Sequence, residues 1–110
     1  MVKIKRFDVC LVELDPTVGS EIKKTRLAVI ISPDSMNISR LKTVIIAPMT
    51  TKVRENFPTR VSLIFKNKSG QVALDQLRVI DRTRIRKKVG EVEKGVGNKI
   101  LNTLSIIFQP

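Results

Sequence analysis

Two runs of cations and one carboxylate are the residues of this 110-residue chain best suited to chemistry. Arg82, Arg84, Arg86, Lys87 and Lys88 place five cations within seven residues. Such a cluster reads either as a solvated surface turn or as a contact surface for phosphates, where each neutralised phosphate releases counterions. The chain has 21 Lys and Arg against 10 Asp and Glu, a net charge of +11, which favours the phosphate reading. An excess of that size implies a polyanionic partner: nucleic acid, an acidic protein tail or an anionic membrane. A second basic run is Lys23, Lys24 and Arg26. Asp75 and Arg78 stand inside an apolar, strand-like segment. A carboxylate buried there alone is costly, so Asp75 needs an open cleft or an arginine partner. Phe57, beside Pro58 in a loop, is the aromatic placed for base contact, whereas Phe7 and Phe65 fall in strand patterns and read as core.

Several chemistries are excluded by composition. The chain has no histidine, so the usual imidazole base and the commonest metal ligand are both missing. One cysteine, Cys10, cannot form an internal disulfide or a Cys-based zinc site, and its strand position makes it a small core residue. No phosphate-binding glycine loop, metal-ligand spacing or nucleophile elbow is present. No apolar run approaches the roughly 18 residues of a membrane span, and Met1 to Arg6 leads straight into a strand with no signal peptide. A single cytoplasmic domain with no membrane segment is expected.

The elements that must position these residues are mostly strands. The 13 valines and 13 isoleucines supply β-branched side chains that favour pleated sheet. Phe7 to Leu14 reads as a first strand. Asp15 to Arg26 reads as a polar loop; its part from Asp15 to Lys24 is expected to be mobile, because Gly19 and its charges leave few apolar anchors, and to close over a bound strand. Leu27 to Ser32 is a second strand, and Pro33 to Leu41 a turn with one helical turn. Thr43 to Ala47 is a strand stopped by Pro48, and Met49 to Pro58 a long loop. Arg60 to Phe65 and Gln71 to Ile80 alternate as strands about a turn at Lys66 to Gly70. Asp81 caps a short helical turn beginning at Arg82. Arg86 to Val92 is a last strand, and Val96, Ile100, Leu104 and Phe108 share one face of a C-terminal helix. The expected fold is mainly β with α additions, a small barrel or half-open sheet under helical cover.

Taken together, three ordered blocks resemble the MazF/PemK (Kid) family of toxin endoribonucleases. The first runs from Asp8-Val9-Cys10-Leu11-Val12-Glu13-Leu14-Asp15-Pro16 through Lys24-Thr25-Arg26 to Ile30-Ile31-Ser32-Pro33. The second is Val44-Ile45-Ile46-Ala47-Pro48-Met49-Thr50-Thr51 with Pro58-Thr59-Arg60-Val61, and the third Gly70-Gln71-Val72 through Leu74-Asp75-Gln76-Leu77-Arg78-Val79-Ile80-Asp81. The resemblance implies an SH3-like small barrel of the CcdB/Kid/MazF type with a C-terminal helix, in a homodimer. It implies cleavage of single-stranded RNA without metal or other cofactor, by 2′-hydroxyl attack that leaves a 2′,3′-cyclic phosphate and a 5′-hydroxyl. It also implies inhibition by the acidic tail of a MazE-like antitoxin.

By the same resemblance, Arg26 matches the arginine that faces the scissile phosphate, stabilises transition-state charge and hands a proton to the leaving oxygen. Thr50 matches a threonine that holds that phosphate. Asp75 matches the carboxylate assigned as general base in the Kid branch. That branch also uses an arginine where Ala73 stands and a histidine where Ser20 stands, so its acid/base set is incomplete here and the Arg26/Thr50 arrangement is favoured. Gln76 and Arg78 resemble groove residues. Lys23, Lys24, Thr51, Phe57, Arg82, Arg84 and Arg86 complete the expected RNA-binding set. Other departures are Phe7 in place of glycine, Cys10 in place of an aromatic, and Leu27 in place of a proline that would stiffen the backbone beside Arg26. A CcdB-like gyrase poison and a non-cutting family member are the alternatives, the first disfavoured by a tail, Ser105 to Pro110, without tryptophan.

Overall fold

A computed structural model describes residues 3–110. Its elements are β1 (Asp8–Glu13), β2 (Thr25–Ile30), α1 (Asp34–Asn37), β3 (Thr43–Thr50), β4 (Arg60–Phe65), β5 (Lys68–Ala73), β6 (Arg78–Asp81), β7 (Ile85–Glu91) and α2 (Lys94–Ile107). Single 3-10 turns at Leu74–Gln76 and Arg82–Arg84 flank β6. The strands form one antiparallel sheet in the order β4-β5-β3-β2-β1-β7, with β6 also on β3.

β3 is the hinge of this sheet. One edge pairs with β2 over Ile46 to Pro48, while the other pairs with β6 up to Ile46 and with β5 from Met49. The sheet therefore folds into a half-barrel with a core on each side. Cys10, Val12, Leu14, Ala28, Ile30, Val44 and Ile46 fill one core. Val9, Val29, Ala47, Val61, Val72 and Leu74 fill the other, closed by Ile100 of α2. Strands buried on both faces cannot alternate in polarity, which is why β1 to β3 read as continuous apolar runs. Among the described residues no helix is long and apolar enough to cross a membrane.

Four expectations are corrected. Pro48 lies within β3, not at its end; it falls where the strand has left β6 and not yet met β5, so its missing N–H need break no ladder bond. Arg26 belongs to β2 rather than to the preceding loop. The segment from Gln71 to Ile80 is not one strand: Leu74–Gln76 turns between β5 and β6 and carries Asp75 out of the sheet. The turn between β4 and β5 is only Lys66 and Asn67, both at positive φ (48° and 66°), so Lys68 to Gly70 are strand. This is the backbone that a two-residue hairpin with right-handed twist requires.

Phe7 adopts φ 74°, a left-handed conformation that favours glycine. Its ring compensates by packing on α2, where a Cβ on Gly97 would stand 2.9 Å from it. Backbone bonds also hold the residue on both sides, Phe7 N–H donating to Ile30 (2.8 Å) and its carbonyl accepting from Val92 (3.0 Å). Cys10 is fully buried, and burial first, then the nearby Asp8 carboxylate, push its thiol up to about 11.

Candidate functional site

A groove of about 660 Å³ opens at the end of the sheet where β2, β3 and the Leu74–Gln76 turn meet two loops. The strand register explains its centre. The β2–β3 ladder ends with Ala28 opposite Pro48, and two residues beyond it on each strand stand Arg26 and Thr50. Both are half-buried and both line the groove.

Each of the two is oriented by a neighbour. Arg26 Nε donates to the Lys23 carbonyl at 3.1 Å, which steadies the guanidinium and leaves its two terminal nitrogens to the groove. That bond does locally what the proline absent at Leu27 would have done through the backbone. Thr50 Oγ1 accepts from the Lys52 N–H at 3.1 Å, so its own hydrogen is available to donate outward. Gly70 lets β5 approach this point: a Cβ there would stand 2.8 Å from the Thr50 carbonyl oxygen.

Two glutamines tie the flanking loops to the sheet. Buried Gln71, opposite Thr50, accepts from Arg54 N–H (2.9 Å) and donates to the Arg54 carbonyl (3.3 Å), fixing the β3–β4 loop. Gln76 accepts from Ile22 N–H (2.5 Å) and donates to the Ser20 carbonyl (3.3 Å), fixing the β1–β2 loop. Arg78 donates to the Leu14 carbonyl at 3.0 Å and Arg84 to the Glu13 and Asp15 carbonyls, so the root of the β1–β2 loop is held as well.

Of the residues expected from sequence, Ser20, Lys23, Arg26, Thr50, Thr51, Phe57, Asp75 and Gln76 line the groove. Arg78 lies just beyond, in a hollow shared with Asp75 and Gln76. Lys24 is exposed at the loop's end with φ 72°, outside this lining. The Arg82–Lys88 run lies apart from the groove lining, and for Arg82 the expectation of a surface contact is corrected. Arg82 is buried, its guanidinium donating to the Leu41 (2.8 Å) and Met36 (3.1 Å) carbonyls. Arg86 pairs with Glu13, and Lys88 with the buried Asp8. Arg82, Arg84, Arg86 and Lys88 thus close the fold or neutralise carboxylates, Lys87 is exposed, and none of the five lines the groove.

Five residues that sequence reading did not select also line the groove: Glu21, Ile22, Lys52, Arg54 and Arg60. Arg60 is the consequential one. Its Nε and Nη2 bind the two Asp75 oxygens at 2.7 and 3.1 Å, and Thr59 Oγ1 adds a bond of 3.1 Å. Burial pushes the Asp75 carboxyl upward, but the bonds from Arg60, its own backbone and Thr59 outweigh burial and hold it below the ordinary carboxylate range. Arg60 faces Ala73 across the β4–β5 ladder, so it delivers from the neighbouring strand the guanidinium that Ala73 lacks. The signal in the sequence was the need of Asp75 for a partner; which arginine answers it depends on register.

Chemically, the groove presents Lys23, Arg26, Lys52 and Arg54 with the hydroxyls of Ser20, Thr50 and Thr51, an arrangement for a phosphodiester. Among the described residues, no three or more Cys, Asp or Glu side chains gather as a metal site would require.

The family model for the PemK-like, MazF-like toxin of type II toxin–antitoxin systems matches residues 5–108. The Endoribonuclease MazF of Staphylococcus epidermidis is 32% identical over 108 residues, covering 94% of this chain and 89% of that one. The crystal structure of MazF from Deinococcus radiodurans superposes with a TM-score of 0.85 at 21% identity over 100% of both chains. A mycobacterial endoribonuclease solved with its cognate antitoxin gives a TM-score of 0.75 at 21% identity, covering 96% of this chain and 93% of that one.

Proposed function

This chain belongs to the PemK-like, MazF-like toxin family of type II toxin–antitoxin systems, and from that premise we propose that it cuts single-stranded messenger RNA in the cytoplasm, without a metal, and so arrests translation. The observation that carries this reading is that Arg26 and Thr50, just past the end of the β2–β3 ladder, line one groove together with Lys23, Lys52 and Arg54. The 2′-hydroxyl of the substrate attacks the adjacent phosphorus while the bond to the 5′-oxygen breaks. The hydroxyl proton leaves to water, and the departing 5′-oxygen gains one. Arg26, with its terminal nitrogens toward the groove, stabilises the added negative charge of the pentacoordinate phosphorus, and the Thr50 hydroxyl orients a non-bridging oxygen.

Asp75 is a poor general base in this scheme, since both its oxygens already accept from Arg60. A second copy of the chain belongs to the same reading. An apolar hollow beside Arg26 and Thr50, lined by Leu11, Leu27, Met49, Phe65 and Val89, supports a homodimer contact there. The acidic tail of an antitoxin would compete for the same cations.

The test is incubation of the purified protein with a long mixed-sequence RNA in EDTA, with 5′-hydroxyl ends mapped and Arg26→Ala alongside. Discrete cuts are expected, slowed by about 10²–10³ in the variant. RNA left intact by the native protein across salt concentrations overturns the enzyme reading and leaves a binding protein.

A further inference from the structure

Phe57, Arg60 and Asp75 form a layered wall on the groove, reaching it from a loop, a strand and a 3-10 turn. Phe57 to Arg60 is a β-turn, with Arg60 N–H donating to the Phe57 carbonyl at 3.1 Å and Pro58 presetting its second position. The turn folds the Arg60 side chain back so that its guanidinium carbon lies 5.5 Å from the centroid of the Phe57 ring. That side chain is only 8% exposed, and its nitrogens hold both oxygens of Asp75. Leu74 N–H donates to the Thr59 carbonyl at 3.1 Å, locking the turn that carries Asp75 to the loop that carries Phe57.

An arginine this buried, with Nε and Nη2 both committed to Asp75, does not reach out to a ligand. It stiffens what rests on it. Phe57 nevertheless remains 47% exposed, on a groove whose lining also holds Lys23, Arg26, Lys52, Arg54 and the hydroxyls of Thr50 and Thr51. A large ring held open to water beside phosphate-binding groups fits a flat aromatic ligand attached to a phosphate, which is a nucleotide of a single strand.

Resting on the RNA reading above, we propose that Phe57 is the stacking face for one nucleobase next to the cut phosphate, and that Arg60 is the positioning residue that holds this face in place, anchored by Asp75. Stacking against an immobilised ring is sequence-tolerant in strength, yet it fixes where that base lies. The wall thereby decides which nucleotide position the neighbouring groups can read. The role of Asp75 is to hold Arg60, not to take a proton from the 2′-hydroxyl.

The experiment uses the full chain and a short RNA carrying a 2′-deoxy substitution at a cut site found by mapping, with 2-aminopurine placed at successive positions. Native protein is expected to quench 2-aminopurine strongly at one position beside the cut. Phe57→Leu should abolish that quench and weaken binding about tenfold, Phe57→Tyr should keep it, and Asp75→Asn and Arg60→Met should reduce it. In the cleavage map, base preference should flatten at the quenched position in Phe57→Leu, with the loss falling on KM. If Arg60→Met fails to fold, Phe57→Leu and Asp75→Asn carry the test. A quench unchanged in Phe57→Leu overturns the proposal, as does an Asp75→Asn enzyme that keeps its quench and KM but loses the acid limb of its pH–rate profile. Native protein that neither binds nor cuts RNA overturns the RNA reading and this proposal with it.

Discussion

At Asp75 the balance between burial and pairing is decided by geometry. The side chain is 31% exposed and its carboxyl is held below the ordinary range, with partial burial opposed and outweighed by bonds from Arg60, its own backbone and Thr59. A folded-state value below the unfolded one means that the pairing stabilises above the unfolded carboxyl's range, near about pH 4, and is lost as pH falls through the lower folded value. Asp75→Asn should therefore cost about 1–2 kcal/mol at neutral pH, discounted for solvent screening, and converge on the native protein in acid; urea unfolding against pH measures this. Phe7 shows the opposite trade. A left-handed φ of 74° costs about 1 kcal/mol or more for a side chain with a Cβ, while deletion of a largely buried ring costs about 3–5. Phe7→Gly should relieve the first and suffer the second, leaving the protein about 1–3 kcal/mol less stable in thermal or urea unfolding.

Among the elements, β3 carries the site because it changes partner in mid-strand. Its last residue, Thr50, is pressed by β5 at Gly70, where an added Cβ would meet the Thr50 carbonyl oxygen at 2.8 Å. Gly70→Ala should destabilise by about 1–3 kcal/mol through overpacking, yet slow RNA cutting by about tenfold or more if Thr50, at the displaced strand end, orients the phosphate as proposed. Measured together, the unfolding midpoint and the cleavage rate separate the two effects. The loops on either side owe their positions to Gln71 and Gln76, each of which bonds a loop backbone through both its carbonyl and its amide. Alternation placed Gln71 on a strand face but not its partner in Arg54. The β1–β2 loop, expected to be mobile from its charge and Gly19, is anchored at its root and at Ser20 and Ile22; its tip at Val18 and Gly19 is exposed.

For the whole molecule, a net charge of +11 predicts a polyanionic partner but says little about where it binds. Folding spends much of that charge. Arg82 and Arg84 bond backbone carbonyls, while Lys5, Arg60, Arg86 and Lys88 pair with carboxylates. Lys23, Arg26, Lys52 and Arg54 line the groove with no carboxylate partner among the described residues. If those four meet phosphates, the logarithm of the RNA binding constant should fall with the logarithm of salt at a slope of about −3. Filter binding or fluorescence anisotropy across salt measures it, and a slope of about −6 would mean that Arg84, Arg86, Lys87 and Lys88 take part as well.

The sequence by itself determined what local chemistry controls. β-branched composition and apolar runs specified the strands, the Val96–Leu104 spacing specified the helix, Asp81 specified its capped turn, and the ordered blocks around Arg26, Thr50 and Asp75 specified the family resemblance. Tertiary structure decided which of many cations face the groove, because that depends on strand register and on carbonyls donated from distant segments. Arg60 was invisible as a site residue until the β4–β5 register set it opposite Ala73. Arg82 looked available until Leu41 and Met36 closed over it. A guanidinium reads the same in a sequence whether its partner is a phosphate or the protein's own backbone, and only the folded chain brings that partner within hydrogen-bond reach.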